Sequence, residues 1–310
     1  MSVQTSTLDY QNYGRCLKLE NEAAELLITL DVGPRIISYR LQGGENVLFN
    51  DLERSCCESG PEFDACFYPG AAWYTYGGHR LWASPEIYPT TYYPENDPVA
   101  YKLDGNTVTL LPPPQTYTHF QFGTEVTLDS RTSAVTVRHS IRNLYHKPLT
   151  VSPWAITVMA PGGFEVVPMP KRETGYLANR VLALWPYTNM SDNRVGWGED
   201  HILLRQDPAV ERPFKFGINS EHGWAAYVNR GAAFVKQFTP DPSLTYPDYG
   251  VQYETYTNAK FLEMETVGEL KTLEPDACVG LEENWRLLPQ EPFCPCDADQ
   301  LAALLARVAR

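Results

Sequence analysis

Hydrophobic and polar positions alternate with a period of two along most of the chain. The pattern runs through Glu25–Leu30, Arg35–Leu41, Thr107–Leu111, Thr124–Leu128, Ala134–Arg142 and Leu149–Val158. It resumes at His201–Arg205, Phe214–Ile218, Trp224–Val228, Ala232–Phe238, Phe261–Val267 and Cys278–Leu287. On an extended backbone successive side chains point to opposite faces, so each run predicts a strand. Turn-forming clusters separate the runs, among them Gly43-Gly44, Asp104-Gly105-Asn106, Pro161-Gly162-Gly163 and Asn229-Arg230-Gly231. Many short strands joined by turns predict a sandwich or barrel rather than an array of βαβ units. Helical spacing is clear only at the end, over Gln300–Arg310, with Asp297 or Asp299 as cap and arginine in the last turn. No linker or internal repeat stands out. Residues 1–310 therefore read as one β domain, with a short helix over 297–310 packed on or beside it.

Composition narrows the picture. Twenty-five prolines, 19 tyrosines and 7 tryptophans among 310 residues favour pleated structure with long shaped loops. The formal charge of −13 argues against a nucleic-acid or anionic-membrane partner, because phosphate surfaces demand clustered lysine and arginine. No apolar run is long enough to span a bilayer. The polar start, without a charged and then apolar stretch, predicts no secretory signal. The cysteines, Cys16, Cys56, Cys57, Cys66, Cys278, Cys294 and Cys296, are odd in number and irregular in spacing. They fit reduced thiols of a cytoplasmic protein better than a disulfide framework or a zinc site. The histidines show no metal-ligand spacing, and no dinucleotide, Walker or nucleophile-elbow motif is present. No metal and no cofactor is expected.

Two local patterns carry candidate chemistry. Phe67–Pro94 crowds Phe67, Tyr68, Trp73, Tyr74, Tyr76, Trp82, Tyr88, Tyr92 and Tyr93 among glycines and prolines, without strand alternation. A long aromatic loop is either a binding wall or a cover over a sheet. Sugar binding suits it, since C–H faces stack on rings while hydroxyls seek nearby polar groups, and His79 and Arg80 lie inside the cluster. In Phe261–Val267, alternation puts Phe261, Glu263, Glu265 and Val267 on one face. The two carboxylates are then roughly 6.5–7 Å apart along the strand. Apolar neighbours would tune them as proton acceptors; the alternative is the wet side of an outer strand. Lys236 alternates with Phe234 and Phe238, so it is either buried against a neighbouring glutamate or extended past the rings to water. His139 shares an apolar stripe with Val135, Val137 and Ile141, which suits a satisfied core histidine.

Several stretches resemble the galactose mutarotase-like (aldose 1-epimerase) superfamily. Leu30-Asp31-Val32-Gly33-Pro34-Arg35-Ile36-Ile37-Ser38-Tyr39-Arg40 with Gly43-Gly44-Glu45-Asn46-Val47-Leu48 is similar to its N-terminal strands. Pro148–Trp154 after Asn143-Leu144 resembles the central stretch, and Phe261–Thr266 with Leu273-Glu274-Pro275-Asp276 the closing one. Gly77–Trp82, Pro85-Glu86 and Tyr246-Pro247-Asp248 look like a bacterial branch of the superfamily. The resemblance implies a large antiparallel β-sandwich with a sugar site on its concave face, and hence a small-molecule carbohydrate partner. It nominates Glu265 as the base that takes the anomeric-hydroxyl proton, assisted by Glu263, and Arg80 as a sugar contact. The family's histidine acid would fall on Trp154, so His79 or Lys236 is the expected substitute. Trp82, Trp154, Tyr76, Glu86 and Asp248 complete the expected substrate-binding set. A lyase or glycosidase using the same carboxylates, or a non-catalytic sugar binder, are the other readings.

Overall fold

The protein is described from a computed structural model covering residues 3–291, 294–295 and 297–308. Alternation along the strands produces two large antiparallel sheets, of 11 and 10 strands, packed face to face as a β-sandwich. The first sheet runs Gln4–Asp9, Arg15–Glu20, Ala24–Thr29, Ile36–Leu41 and Gly78–Ser84. It continues through Leu149–Met159, Leu262–Val267, Tyr253–Thr257, Phe214–Ile218 and Leu182–Leu184, with Lys271–Leu273 also on Leu149–Met159. The second begins with Val195–Trp197, His201–Arg205, Phe164–Pro168, Trp224–Asn229 and Ala232–Phe238. Cys278–Pro289, Val135–Asn143, Phe120–Leu128, Thr107–Leu111 and Ala100–Asp104 complete it. Between the sheets lies the main core, where Leu26, Ile28 and Met264 of the first sheet share one cluster with Val126, Phe234 and Trp285 of the second.

The C-terminal helix spans Ala298–Val308, two residues before the expected start; residues 309–310 lie outside the described residues. The Asp297 carboxylate accepts the amides of Asp299 and Gln300 at 3.0 and 3.1 Å, which closes the first turn. Leu304 and Val308 cover Val166, Ala226, Val228 and Val235 on the outer face of the second sheet. This cover explains why Trp224–Asn229 is buried on both faces rather than alternating. A second helix, Pro61–Cys66, was not anticipated, because its six residues are too few to show a helical period. Cysteines 16, 56, 57, 66, 278 and 294 are free, while Cys296 lies outside the described residues.

The aromatic segment differs from the expected loop. Gly78–Ser84 is a central strand of the first sheet, paired on one side with Ile36 and on the other with Leu149–Met159. It hides its alternation because both faces are covered: all its residues are buried except the half-buried Ala83. Its entry depends on glycine. Gly77 and Gly78 have φ of +95° and +69°, and a Cβ at Gly78 would lie 2.4 Å from the Ile36 carbonyl oxygen.

Within the core a hydrogen-bonded chain crosses between the sheets. His79 Nε2 lies 2.8 Å from His139 Nε2, while the Nδ1 atoms meet Thr157 and Thr124 at 2.9 and 3.1 Å. Beside it Lys236 Nζ, fully buried, sits 2.8 Å from Glu283 on the neighbouring strand and donates to the Ala155 and Met264 carbonyls. Of the two arrangements open to Lys236, the paired one is adopted. Burial pushes the His79 pKa well down, helped by His139 and Lys236, and pushes His139 down to about 3, helped by Lys236.

Two outcomes follow. Gly78→Ala should lower stability to urea by about 3 kcal/mol through strain and clash. Gly105→Ala, also at positive φ but with nothing within 4 Å of the new Cβ, should cost only about 1–2 kcal/mol. The neutral histidines set a pH dependence: the unfolded chain binds protons below its ordinary histidine pKa of about 6.5 while the folded chain does not. Stability is therefore full above that pH and falls below it. His139→Gln should flatten the slope of unfolding free energy between pH 7 and 5 by up to about one proton; identical slopes would contradict the neutral pair.

Candidate functional site

The central strands of the first sheet present their second face to a cavity of about 520 Å³. Alternation decides what reaches it. On Gly78–Ser84, Arg80 and Trp82 face the cavity, so His79 between glycine and Arg80 faces the core. On Leu149–Met159, Trp154 and Ile156 face it. On Leu262–Val267 the glutamates share this face with Val267, while Leu262 and Met264 pack between the sheets. Tyr256 and Lys215 arrive from the next two strands. Trp73, Glu58, Glu86, Tyr92, Trp185 and Tyr187 rise around them from connecting segments and short strands.

Register arranges the charges diagonally. Arg80, Ile156, Glu265 and Glu254 form one transverse row, and Val158, Glu263, Tyr256 and Lys215 the next. Arg80 Nη2 reaches across to Glu263 Oε1 at 3.1 Å. Lys215 Nζ reaches the other way, 2.8 Å from both Glu254 Oε2 and Glu265 Oε2. Trp154 Nε1 donates to the same Glu265 oxygen at 2.8 Å. Each cation also lies against rings: the Arg80 guanidinium 4.3 Å from the Trp82 centroid, and Lys215 Nζ 4.6 and 4.5 Å from those of Trp154 and Trp185.

Burial sets the protonation pattern. It raises the Glu263 pKa; Arg80 opposes that shift and the Glu265 charge adds to it. It works in the same upward direction on Glu254, against the pull of Lys215. Burial works against the Lys215 charge, but Glu265 and Glu254 outweigh it and raise its pKa. Lys215 is thus a held cation, and Glu263 a carboxyl poised nearer neutrality than an exposed one.

Some expected residues gather here and others do not. Arg80, Glu263, Trp82, Glu86 and Trp154 line the cavity. Glu265, 1% exposed, sits behind Lys215 and Trp154 rather than on the wall. His79 and Lys236, the expected substitute acids, do not reach the cavity, because alternation points both between the sheets. Tyr76 donates to Asn96 beneath Arg54, and Asp248 occupies a turn outside the walls. Lys215 was not anticipated. It alternates with Phe214 and Phe216, so in sequence it reads as the wet side of its strand.

Of the described residues, His79, His139 and Glu283 form a group whose donor atoms lie within 4.8 Å of one another. The histidines bond each other, and Glu283 is matched by Lys236 and by Trp285 Nε1 at 3.0 Å. The cluster is satisfied as an ion pair beside a hydrogen-bonded chain, and a divalent ion would add uncompensated charge to it. No helix among the described residues is long and apolar enough to cross a membrane.

No protein-family profile matches the chain, and no curated protein matches it by sequence. Solved structures do match. A Klebsiella pneumoniae protein proposed to be an aldose 1-epimerase aligns at TM-score 0.62 and 13% identity, over 99% of this chain and 86% of its own. A galactose mutarotase-like protein from Lactobacillus casei aligns at 0.56 and 12%, over 88% and 100%. A TPR-domain containing protein from Parabacteroides distasonis aligns at 0.60 and 14%, over 90% of this chain but 48% of its own, so the chain spans about half of that protein. The fold is therefore the galactose mutarotase-like β-sandwich.

Removing the central cation tests the ion-pair geometry. Lys215→Met should cost about 3–5 kcal/mol, because two buried carboxylates lose their partner. Adding Glu254→Gln and Glu265→Gln should restore most of that loss in chemical unfolding. A single variant as stable as wild type would mean that the pairs carry no weight.

Proposed function

We propose that the cavity binds a carbohydrate and moves a proton on it, in the manner of an aldose 1-epimerase. One observation carries this reading: a half-buried carboxyl, Glu263, lies beside Arg80 on the cavity wall while a second cation, Lys215, stands among aromatic rings on the same floor. The cavity has the volume of a small-molecule site, and its aromatic walls with a few fixed polar groups suit a sugar ring. The likeness in fold to galactose mutarotase-like proteins supports the same assignment.

Exchange of anomers needs a base for the anomeric hydroxyl and a positive group or acid at the ring oxygen, so that the ring opens and recloses on its other face. Glu263 is the group placed to take the hydroxyl proton, with a basicity raised by burial. Lys215, kept charged by Glu254 and Glu265, stabilises negative charge that develops on a sugar oxygen. Glu265 supports Lys215 instead of meeting the sugar.

Polarimetry of freshly dissolved single anomers tests this. Glu263→Gln should slow exchange by about 10²–10⁴-fold while sugar still binds. Among the described residues no histidine lines the cavity, which favours a sugar binder without catalysis as the second reading. Saturable sugar binding with anomer exchange no faster than the uncatalysed rate would select it.

A further inference from the structure

The two halves of the cavity floor differ in which kind of hydrogen-bonding group is left unmatched. In the Lys215 half the ammonium meets two carboxylates and the Trp154 indole meets one of them. What remains unmatched there is acceptors, Glu254 Oε1 and Glu265 Oε1, behind the wall. In the Arg80 half it is donors. Among the described residues walling the cavity, the buried polar atoms without a partner are Arg80 Nε, Arg80 Nη1, Trp73 Nε1 and Trp82 Nε1. All are donors. Arg80, Trp73 and Trp82 are 3%, 5% and 5% exposed. They are also mutually close: the guanidinium carbon is 4.3 and 5.5 Å from the Trp82 and Trp73 centroids, and the indoles are 5.1 Å apart.

A donor-only cluster selects a ligand group rich in lone pairs and free of hydrogens. A sugar hydroxyl accepts, but it brings a proton that needs an acceptor of its own. Glu263 Oε1 is already engaged by Arg80 Nη2, which leaves Oε2 of that carboxylate for a hydroxyl proton against four unmatched donors. An ionised carboxylate has two oxygens, about four lone-pair sites and no hydrogen. Each buried donor left unmatched costs about 1–3 kcal/mol, so the group that satisfies these atoms gains strongly over one that does not.

Charge limits the choice further. Arg80 is shared with Glu263, so an anion gains from one partly used cation, and a singly charged group meets less repulsion there than a doubly charged one. At the cavity wall Glu58 and Glu86 are exposed, without an ion-pair partner among the described residues, and Glu86 accepts the Tyr92 hydroxyl. Their field opposes a phosphate dianion about twice as strongly as a single carboxylate. We propose that the Arg80–Trp73–Trp82 corner binds a carboxylate, so that the ligand is a sugar acid of the uronate class; this rests on the sugar-binding reading above.

Titration calorimetry on the full chain tests it, with glucuronate and galacturonate against glucose, galactose and glucose 6-phosphate. A uronate should bind at least about tenfold more tightly than its neutral parent and than the phosphate. Trp73→Phe and Trp82→Phe each keep a ring but remove one N–H. Each should weaken the uronate by about 5–30-fold and by at least several-fold more than it weakens the neutral hexose. Equal affinity for hexose and uronate, tighter binding of the phosphate, or an equal loss for both ligands in the indole variants would overturn the assignment while leaving the sugar site standing. Binding of none of these sugars would remove the sugar reading and this inference together. The comparison of ligands on the unaltered protein decides the matter even if a variant fails to fold.

Discussion

A sheet covered on both faces has no water to spare for charge, and this constraint shapes the molecule. The strands Gly78–Ser84, Leu149–Met159, Leu262–Val267, Tyr253–Thr257 and Phe214–Ile218 lie side by side between the core and the cavity. Any ionised side chain on them must find its counterion within the fold, since an isolated buried charge is prohibitive. The solution is diagonal pairing across the ladders. Arg80 meets Glu263 and Lys215 meets Glu265 and Glu254, each cation backed by an indole. The same rule operates one layer deeper, where Lys236 and Glu283 pair between the sheets.

The chemistry of the cavity follows from that pairing. A carboxyl exposed to water would be fully ionised and weakly basic. Glu263 is half-buried and so poorly hydrated, partly compensated by Arg80 and pressed by the charge of Glu265, so its proton is held more tightly. Lys215 has two carboxylates for one ammonium, which fixes it as a cation. The pairing therefore separates the floor into a corner that keeps its charge and a corner still short of acceptors. The first suits stabilisation of developing negative charge. The second suits recognition of a ligand. Neither property belongs to a single residue; each arises from register, which sets who lies diagonal to whom.

Much of the fold was legible in the chain because period-two alternation survives wherever one face is wet or the faces differ in polarity. Thr107–Leu111, His201–Arg205, Phe214–Ile218 and Ala232–Phe238 have the bounds that alternation predicts. The shared face of Glu263 and Glu265 was legible for the same reason. Alternation fails as a signal when both faces are buried. Gly78–Ser84 looks like an aromatic loop in sequence because its two sides carry His79 and Leu81 against Arg80 and Trp82, with no polar–apolar contrast. His79 and Arg80 accordingly appeared as one cluster, although they point in opposite directions.

What the sequence determined by itself is local: which residues extend where polarity alternates, where the chain turns, that a helix follows Asp297, and which neighbours along a strand share a face. These follow from backbone geometry and need no partner. Which strand lies beside which was decided only by the tertiary structure, and with it the identity of every counterion. Lys215 is 50 residues from Glu265 in the chain and 2.8 Å from it in space. Arg80 and Glu263 are 183 residues apart and bonded at 3.1 Å. Side-chain direction is a property of one strand, whereas pairing of buried charge is a property of the sheet, because only neighbouring strands can replace the water that burial removes.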